Sequence, residues 1–302
     1  MLAATLPLRD LLLAFAVVAV WGTNFVVIRI GLDHLPPLLF AALRFLFAAI
    51  PAVFLLPRPR VPWQNLAAYG LLIGVGQFGV LFVALRGDIS PGLASLVIQV
   101  QVFFTIGLSV AMMGERVRGY QWAALALAAT GIGIIALHTD TTTTPLGLAL
   151  VTFAAMGWAG GNIVAKRSGA PNMLSYVVWA GLFSTPPLLA LSVAIEGWDA
   201  IRDGLLRADA VTWGAVLWQS VGNVMFGYAI WGWLLARHPT ALITPISLLV
   251  PVIGLAASAF WFGEPLPLWK IGAALLVLSG LAIGILYPRW RRRGALGNLP
   301  PA

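Results

Sequence analysis

Long apolar runs alternate along the chain with short connections that carry proline or charge. The runs predict membrane-spanning helices near residues 8–29, 37–57, 66–85, 91–113 and 120–138, and then near 145–165, 174–195, 212–234, 239–262 and 268–287. Each has about the 20 apolar residues a helix needs to cross the hydrocarbon core. None alternates as a barrel strand would, so helices are the structures that satisfy the backbone in lipid. The longest connection, 196–209, sets Trp198, Ile201 and Leu205 at helical spacing with Arg202, Asp203 and Arg207 between them, and predicts a short helix lying on the membrane surface.

The pattern repeats. SPGLASLVIQVQVFFTIGLSVAMMGER at 90–116 is echoed by HPTALITPISLLVPVIGLAASAFWFGEP at 238–265: Pro239 follows Pro91 by 148 residues and Glu264 follows Glu115 by 149. Gly280 and Lys270 match Gly131 and Gln121 at that same offset, and Trp158 to Asn162 echoes Trp21 to Asn24. The expected organisation is a first repeat over 1–138, a second over 145–290, a polar connector at 139–144 and a tail over 291–302. Five spans per repeat is an odd number, so the second repeat must sit inverted relative to the first. Such pairs build a central site that opens to either side, which is the architecture of transport.

Composition narrows the class further. The chain is 60% hydrophobic and 9% charged, with a mean hydropathy of +0.94, against about 25% charged in a soluble domain. It has no cysteine, which excludes disulfides and thiolate-held metals. The first run is longer than a signal-peptide core and lacks a clear cleavage site, so it reads as a retained span. The net charge of +8 does not point to nucleic acid, because the cations fall in short loops. With the N-terminus inside, twelve Lys and Arg residues lie on the cytoplasmic side and five (Arg29, Arg86, Arg202, Arg207, Lys270) outside, which sets both termini in the cytoplasm.

Trp21-Gly22-Thr23-Asn24-Phe25, Arg44 in the second span, Pro91 with Ala94 opening the fourth, Gly114-Glu115-Arg116 and Gly263-Glu264-Pro265 occur in the order seen in a known family. In these marks the chain resembles the drug/metabolite transporter superfamily, its ten-helix EamA members, and is most similar to the bacterial YddG-type aromatic amino-acid exporters. The resemblance implies an all-α integral membrane protein of ten helices in two inverted five-helix repeats around a central cavity, formed mainly by the third, fourth, eighth and ninth spans with help from the first and sixth. It also implies an inner-membrane location and outward movement of amino acids or related metabolites.

Polar side chains in mid-span face the protein interior, because lipid exposure is costly. On the fourth span Ser95 and Gln99 share a face, while Gln101 pairs with Thr105 on another. The ninth span decides between them: Gln99 aligns with Ser247, which lies in a stripe with Thr244, Pro251 and Ser258, so the Gln99 face is expected toward the cavity, with Gln101 admitted if the helix kinks. Val75-Gly76-Gln77 and Val221-Gly222-Asn223 add Gln77 and Asn223, and nearby Phe78, Phe82, Tyr228 and Trp231 offer rings for an apolar pocket or, the favoured reading for each ring alone, for ordinary packing or lipid contact. Trp21 with Asn24 and Trp158 with Asn162 each set a ring and an amide on one face, equally suited to a pocket or to helix packing. Arg44 is the one charge well inside a span; it either binds a substrate carboxylate or, the favoured reading, snorkels to the outer interface or meets carbonyls at a helix break. Pro245 and Pro251 are the expected hinges, and Gly157 with Gly161 and Gly280 with Gly284 are small-residue pairs for close helix approach.

All ten carboxylates and all three histidines fall in loops or at span ends. Proton coupling usually needs such a group inside the membrane, so a facilitator is the expected mode, acting as a monomer on amino acids with no cofactor and no metal. A site of amides, hydroxyls and rings suits a zwitterion with an apolar side chain. A phosphate carrier would require several mid-span cations, and a lipid-precursor flippase remains an alternative. An intramembrane enzyme would need HExxH, paired aspartates or a Ser with a Lys or His base, and none is present. A non-transporting sensor has no need of duplicated halves, and no channel filter or charged ring occurs.

Overall fold

A computed structural model describes residues 6–113, 119–138, 142–169, 172–238 and 240–297. The Gly114-Glu115-Arg116 loop, Pro239 and the last five residues of the expected tail lie outside the described residues. The described elements are helical: α1 (Leu8–Gly31), α2 (Pro37–Ala49, with a 3-10 turn Ala52–Phe54), α3 (Trp63–Leu85), α4 (91–113), α5 (Gly119–Leu137), α6 (Pro145–Ser168), α7 (Met173–Glu196), α8 (210–237), α9 (240–262) and α10 (Leu268–Gly297). Nine of the described helices are long and apolar enough to cross a membrane. The tenth, α8, carries Gln219, Ser220 and Asn223 at its middle. α10 continues beyond the 287 boundary read from hydropathy.

Local irregularities are themselves repeated. α3 widens into π-type turns over Leu71–Gly79, and α8 does so over Trp218–Phe226. α4 tightens into a 3-10 turn at Ile98–Val100, and α9 tightens at Thr244–Leu248, where Pro245 lacks an amide N–H to give. Such single departures from regular α-helix commonly mark functional positions.

Cross-repeat packing follows an exchange rule. α1 packs on α8 and α9 just as α6 packs on α3 and α4, α2 packs on α8 as α7 packs on α3, and α2–α7, α4–α9 and α5–α10 meet their own counterparts. Each contact therefore has its swapped partner, as a two-fold relation between the repeats requires. Gly157 is one reason the inner helices approach so closely: a Cβ there would stand 2.8 Å from the Gly76 carbonyl carbon on α3. Gly280 likewise meets the Ala124 carbonyl, whereas Gly284 faces open space. The peripheral α5 buries only a stripe, Ala124, Ala128, Gly131 and Ile135.

The surface helix forms at Trp198–Arg207, introduced by Gly197 at φ 84°. It turns Ile201 and Gly204 toward the α1–α2 loop, where Gly204 meets Pro36, and leaves Trp198 and Leu206 exposed. The two ends of the bundle differ in packing. α4 is buried throughout 91–99 and half-exposed over 100–106, and α9 is half-exposed over 244–250.

Candidate functional site

The most buried charged side chain among the described residues is Arg44, the residue expected to snorkel or to meet carbonyls at a helix break. Arg44 is 1% exposed and does not reach an interface. Its Nη1 donates to Gln219 Oε1 and its Nη2 to Asn223 Oδ1, each at 2.9 Å. Gln219 passes the chain on by donating to Asn24 Oδ1 at 2.6 Å, and Ser220 donates to the Arg44 carbonyl. The snorkelling reading fails because amide oxygens four residues apart on α8 match the spread of the guanidinium fork. The guanidinium carbon also stands 3.5 Å from the centre of the Phe78 ring, with Phe45 at 5.4 Å. Arg44 Nε is buried without a hydrogen-bond partner.

Rings continue from this cluster toward the end of α8 that carries His238. Trp21 donates its indole N–H to the Asn223 carbonyl at 3.3 Å. Its ring lies 5.9 Å from Tyr228 and 5.2 Å from Trp231, and Gly227 makes room for it on α8. Tyr228 on α8 and Tyr69 on α3 are neighbours across the helices. Trp21, Tyr228 and Trp231 are only half-buried.

A second polar group lies between α4 and α6. Asn162 donates to Gln101 Oε1 at 2.9 Å and to Thr105 Oγ1 at 3.3 Å, and Thr105 donates to Gln101. The 3-10 turn at 98–100 separates Gln101 from Gln99, which is buried. Among the other expected residues, Gln77 is buried in the widened part of α3, and Trp158 is half-buried against the core. Phe82 is 0% exposed and packs on Phe40 at 5.0 Å, as a core ring does. Ser247 turns back onto the Thr244 carbonyl. Pro245 lies in the α9 3-10 turn and Pro251 is buried.

The described acidic side chains are engaged elsewhere, or exposed. Glu264 accepts from Ser90 Oγ (2.6 Å), the Gly92 amide, Ser258 and Lys270 Nζ (2.8 Å), so the α9–α10 loop clasps the start of α4. Glu196 accepts from the Leu38 and Leu39 amides at the N-terminus of α2, where a negative charge complements the helix dipole. Asp10 pairs with His238 at 2.6 Å, Asp33 with Arg29, Asp203 with Arg207, Asp88 with Thr144 and Asp209 with Thr212; Asp199 is exposed. Two hydrogen bonds from Thr212 lower the Asp209 pKa. Among the described residues no group of three or more metal-ligating side chains occurs. A separate apolar groove of about 470 Å³, lined by Ile132, Leu148, Phe153 and Met156, lies between α5 and α6.

Gln219, Tyr69 and the Glu264–Lys270 pair were not among the expected site residues. Gln219 had a legible signal, since it lies four residues before Asn223 on the same helix face. The other two had none, because Tyr69 meets Tyr228 and Lys270 meets Glu264 only through the folded arrangement of helices and loops.

Residues 8–137 and 145–286 each match the EamA-like transporter family. The chain belongs to the EamA-like transporter family. It is a multi-pass membrane transporter rather than an enzyme. This EamA-like chain is 43% identical over 290 residues to a "probable amino-acid metabolite efflux pump" of Salmonella typhimurium, an alignment covering 94% of this chain and 97% of that protein. It is 40% identical over 298 residues to the Escherichia coli strain K12 protein of the same name, covering 96% and 99%. A "probable terminal-alkyne amino-acid exporter" of Streptantibioticus cattleyicolor is 28% identical over 286 residues, covering 88% and 90%. One crystal structure, 19% identical, superposes with a TM-score of 0.63 over 93% of this chain and 98% of that one, a likeness of fold.

Proposed function

We propose that this EamA-like protein exports neutral and aromatic amino acids, or closely related metabolites, across a bacterial inner membrane by alternating access. Support comes from the efflux-pump names of the relatives that it matches at 40–43% identity over nearly their whole length. The observation that carries the site is the Arg44 cluster: a buried guanidinium held by amides of another helix, next to half-buried rings. With both termini cytoplasmic, the ring-lined approach by Trp21, Tyr228 and Trp231 faces the cytoplasm, and the tightly packed end with the Glu264 clasp faces outward. Substrate enters past the rings, meets Arg44 and the amides of Asn24 and Asn223, and contacts Gln101 and Asn162 across the bundle; Gln77, Gln99, Trp158 and Ser247 complete the polar lining. Release follows when the α4–α9 pair bends at Pro245 and Pro251.

The protein works as a monomeric facilitator, driven by the substrate gradient, with 291–302 as a cytoplasmic tail. Purified protein in proteoliposomes, challenged with a panel of radiolabelled amino acids and derivatives, tests this. Counterflow of aromatic or other neutral compounds is expected, and uptake is expected to track the substrate gradient. Background rates for the whole panel would defeat the reading, and steep dependence on a proton gradient at fixed substrate gradient would defeat the facilitator mode.

A further inference from the structure

Among the described residues Arg44 is a positive charge with no negative partner. Arginine keeps its proton under all physiological conditions, and this one is 1% exposed, seven residues into a membrane-spanning helix. Its partners are the neutral amides of Gln219 and Asn223 and the face of Phe78. Each described carboxylate is tied to a cation, a hydroxyl or a helix N-terminus away from this cluster, or is exposed. A buried charge is ordinarily balanced by an opposite charge, and an ionisable group inside the membrane is a site for function by default. Arg44 Nε, buried with no partner, is a donor still unused.

We infer that the missing counter-charge is the substrate's own carboxylate, and that the transporter prefers amino-acid derivatives whose amine is masked, such as N-acyl amino acids, over the free zwitterions. This rests on the export reading above and sharpens its substrate class. A monoanion next to Arg44 brings the site to neutrality. A zwitterion leaves the same net positive charge and adds an ammonium for which the cluster supplies no carboxylate. A cationic amide or ester adds charge of the wrong sign. The Phe78 face is already taken by the guanidinium, so that ring is not free to hold an ammonium. The half-buried rings of Trp21 and Tyr228 suit the apolar side chain or the acyl group.

The test uses the full-length protein in proteoliposomes and three compounds with one side chain: N-acetylphenylalanine, phenylalanine and phenylalaninamide. Wild type is expected to move them in that order, with the anion about tenfold faster than the cation, the ratio that about 1.4 kcal/mol of differential interaction produces. Arg44→Gln keeps hydrogen-bonding capacity and removes the charge, and is expected to abolish the preference for N-acetylphenylalanine over phenylalanine. A merely structural Arg44 would lower all rates without changing their ratio. Phenylalanine faster than N-acetylphenylalanine in wild type overturns the inference and leaves amino-acid export standing. Background rates for all three overturn both. A folded Arg44→Gln protein that keeps the wild-type ranking also overturns it, and if that variant does not fold, the wild-type ranking decides alone.

Discussion

Lys270 Nζ lies 2.8 Å from Glu264 Oε1, and both side chains are 6% exposed. The same carboxylate holds Ser90 and the Gly92 amide at the start of α4. One ion pair thus joins the end of α9, the start of α10 and the start of α4.

Removing one partner of a buried pair leaves an uncompensated charge, at a cost of roughly 3–5 kcal/mol. Lys270→Ala is therefore expected to lower the melting temperature in detergent substantially. The double variant Lys270→Met with Glu264→Gln is expected to recover part of that loss, since no isolated charge remains. Equal melting of Lys270→Ala and wild type would refute the role assigned to the pair.

Gln219 and Asn223 share the work of holding Arg44. Alanine at either position leaves a buried guanidinium N–H unpaired, a cost of about 1–3 kcal/mol. Gln219→Ala is expected to be the worse of the two, because it also frees Asn24. Thermal unfolding of both variants checks the order.

The polar group on α4 and α6 separates the two faces of α4. Asn162→Ala removes the bonds to both Gln101 and Thr105; at about 0.6–2 kcal/mol for interhelical hydrogen bonds in membranes, a severalfold loss of counterflow is expected. Gln99→Ala is expected to change counterflow less than Gln101→Ala. The opposite order would return the Gln99 face to the centre of the pathway.

A side chain at residue 157 has no space to occupy, because backbone of α3 already fills it. Gly157→Val is expected to force α6 from α3 and to abolish recovery of monodisperse protein on size exclusion. Gly284→Ala, facing open space, is expected to behave as wild type.

Asp209 caps α8 through Thr212, which depresses its folded pKa. A depressed carboxylate contributes stability above its unfolded pKa and loses it as pH falls through the folded value. The contribution is therefore expected to be constant near neutrality and to fade only in acid, below the ordinary aspartate range. Asp209→Asn is expected to flatten that acid limb in a melting-temperature series.

The sequence alone determined the class, the helical spans, the duplication and the surface helix at 198–207, because each depends on hydropathy or spacing along one segment. It also named Trp21, Asn24, Arg44, Phe78, Asn223 and Tyr228 as candidates, since mid-span polarity and rings are visible in one dimension. What only the tertiary structure decided is which of these meet. Arg44 was favoured to snorkel because its partners lie about 175 residues away on α8, and no local pattern encodes that match of fork to amides. The turn at 98–100 likewise brought Gln101 rather than Gln99 to Asn162, because a small change in helical winding rotates everything after it. Local chemistry therefore fixes where the chain crosses lipid, and long-range geometry fixes which polar groups share the buried charge.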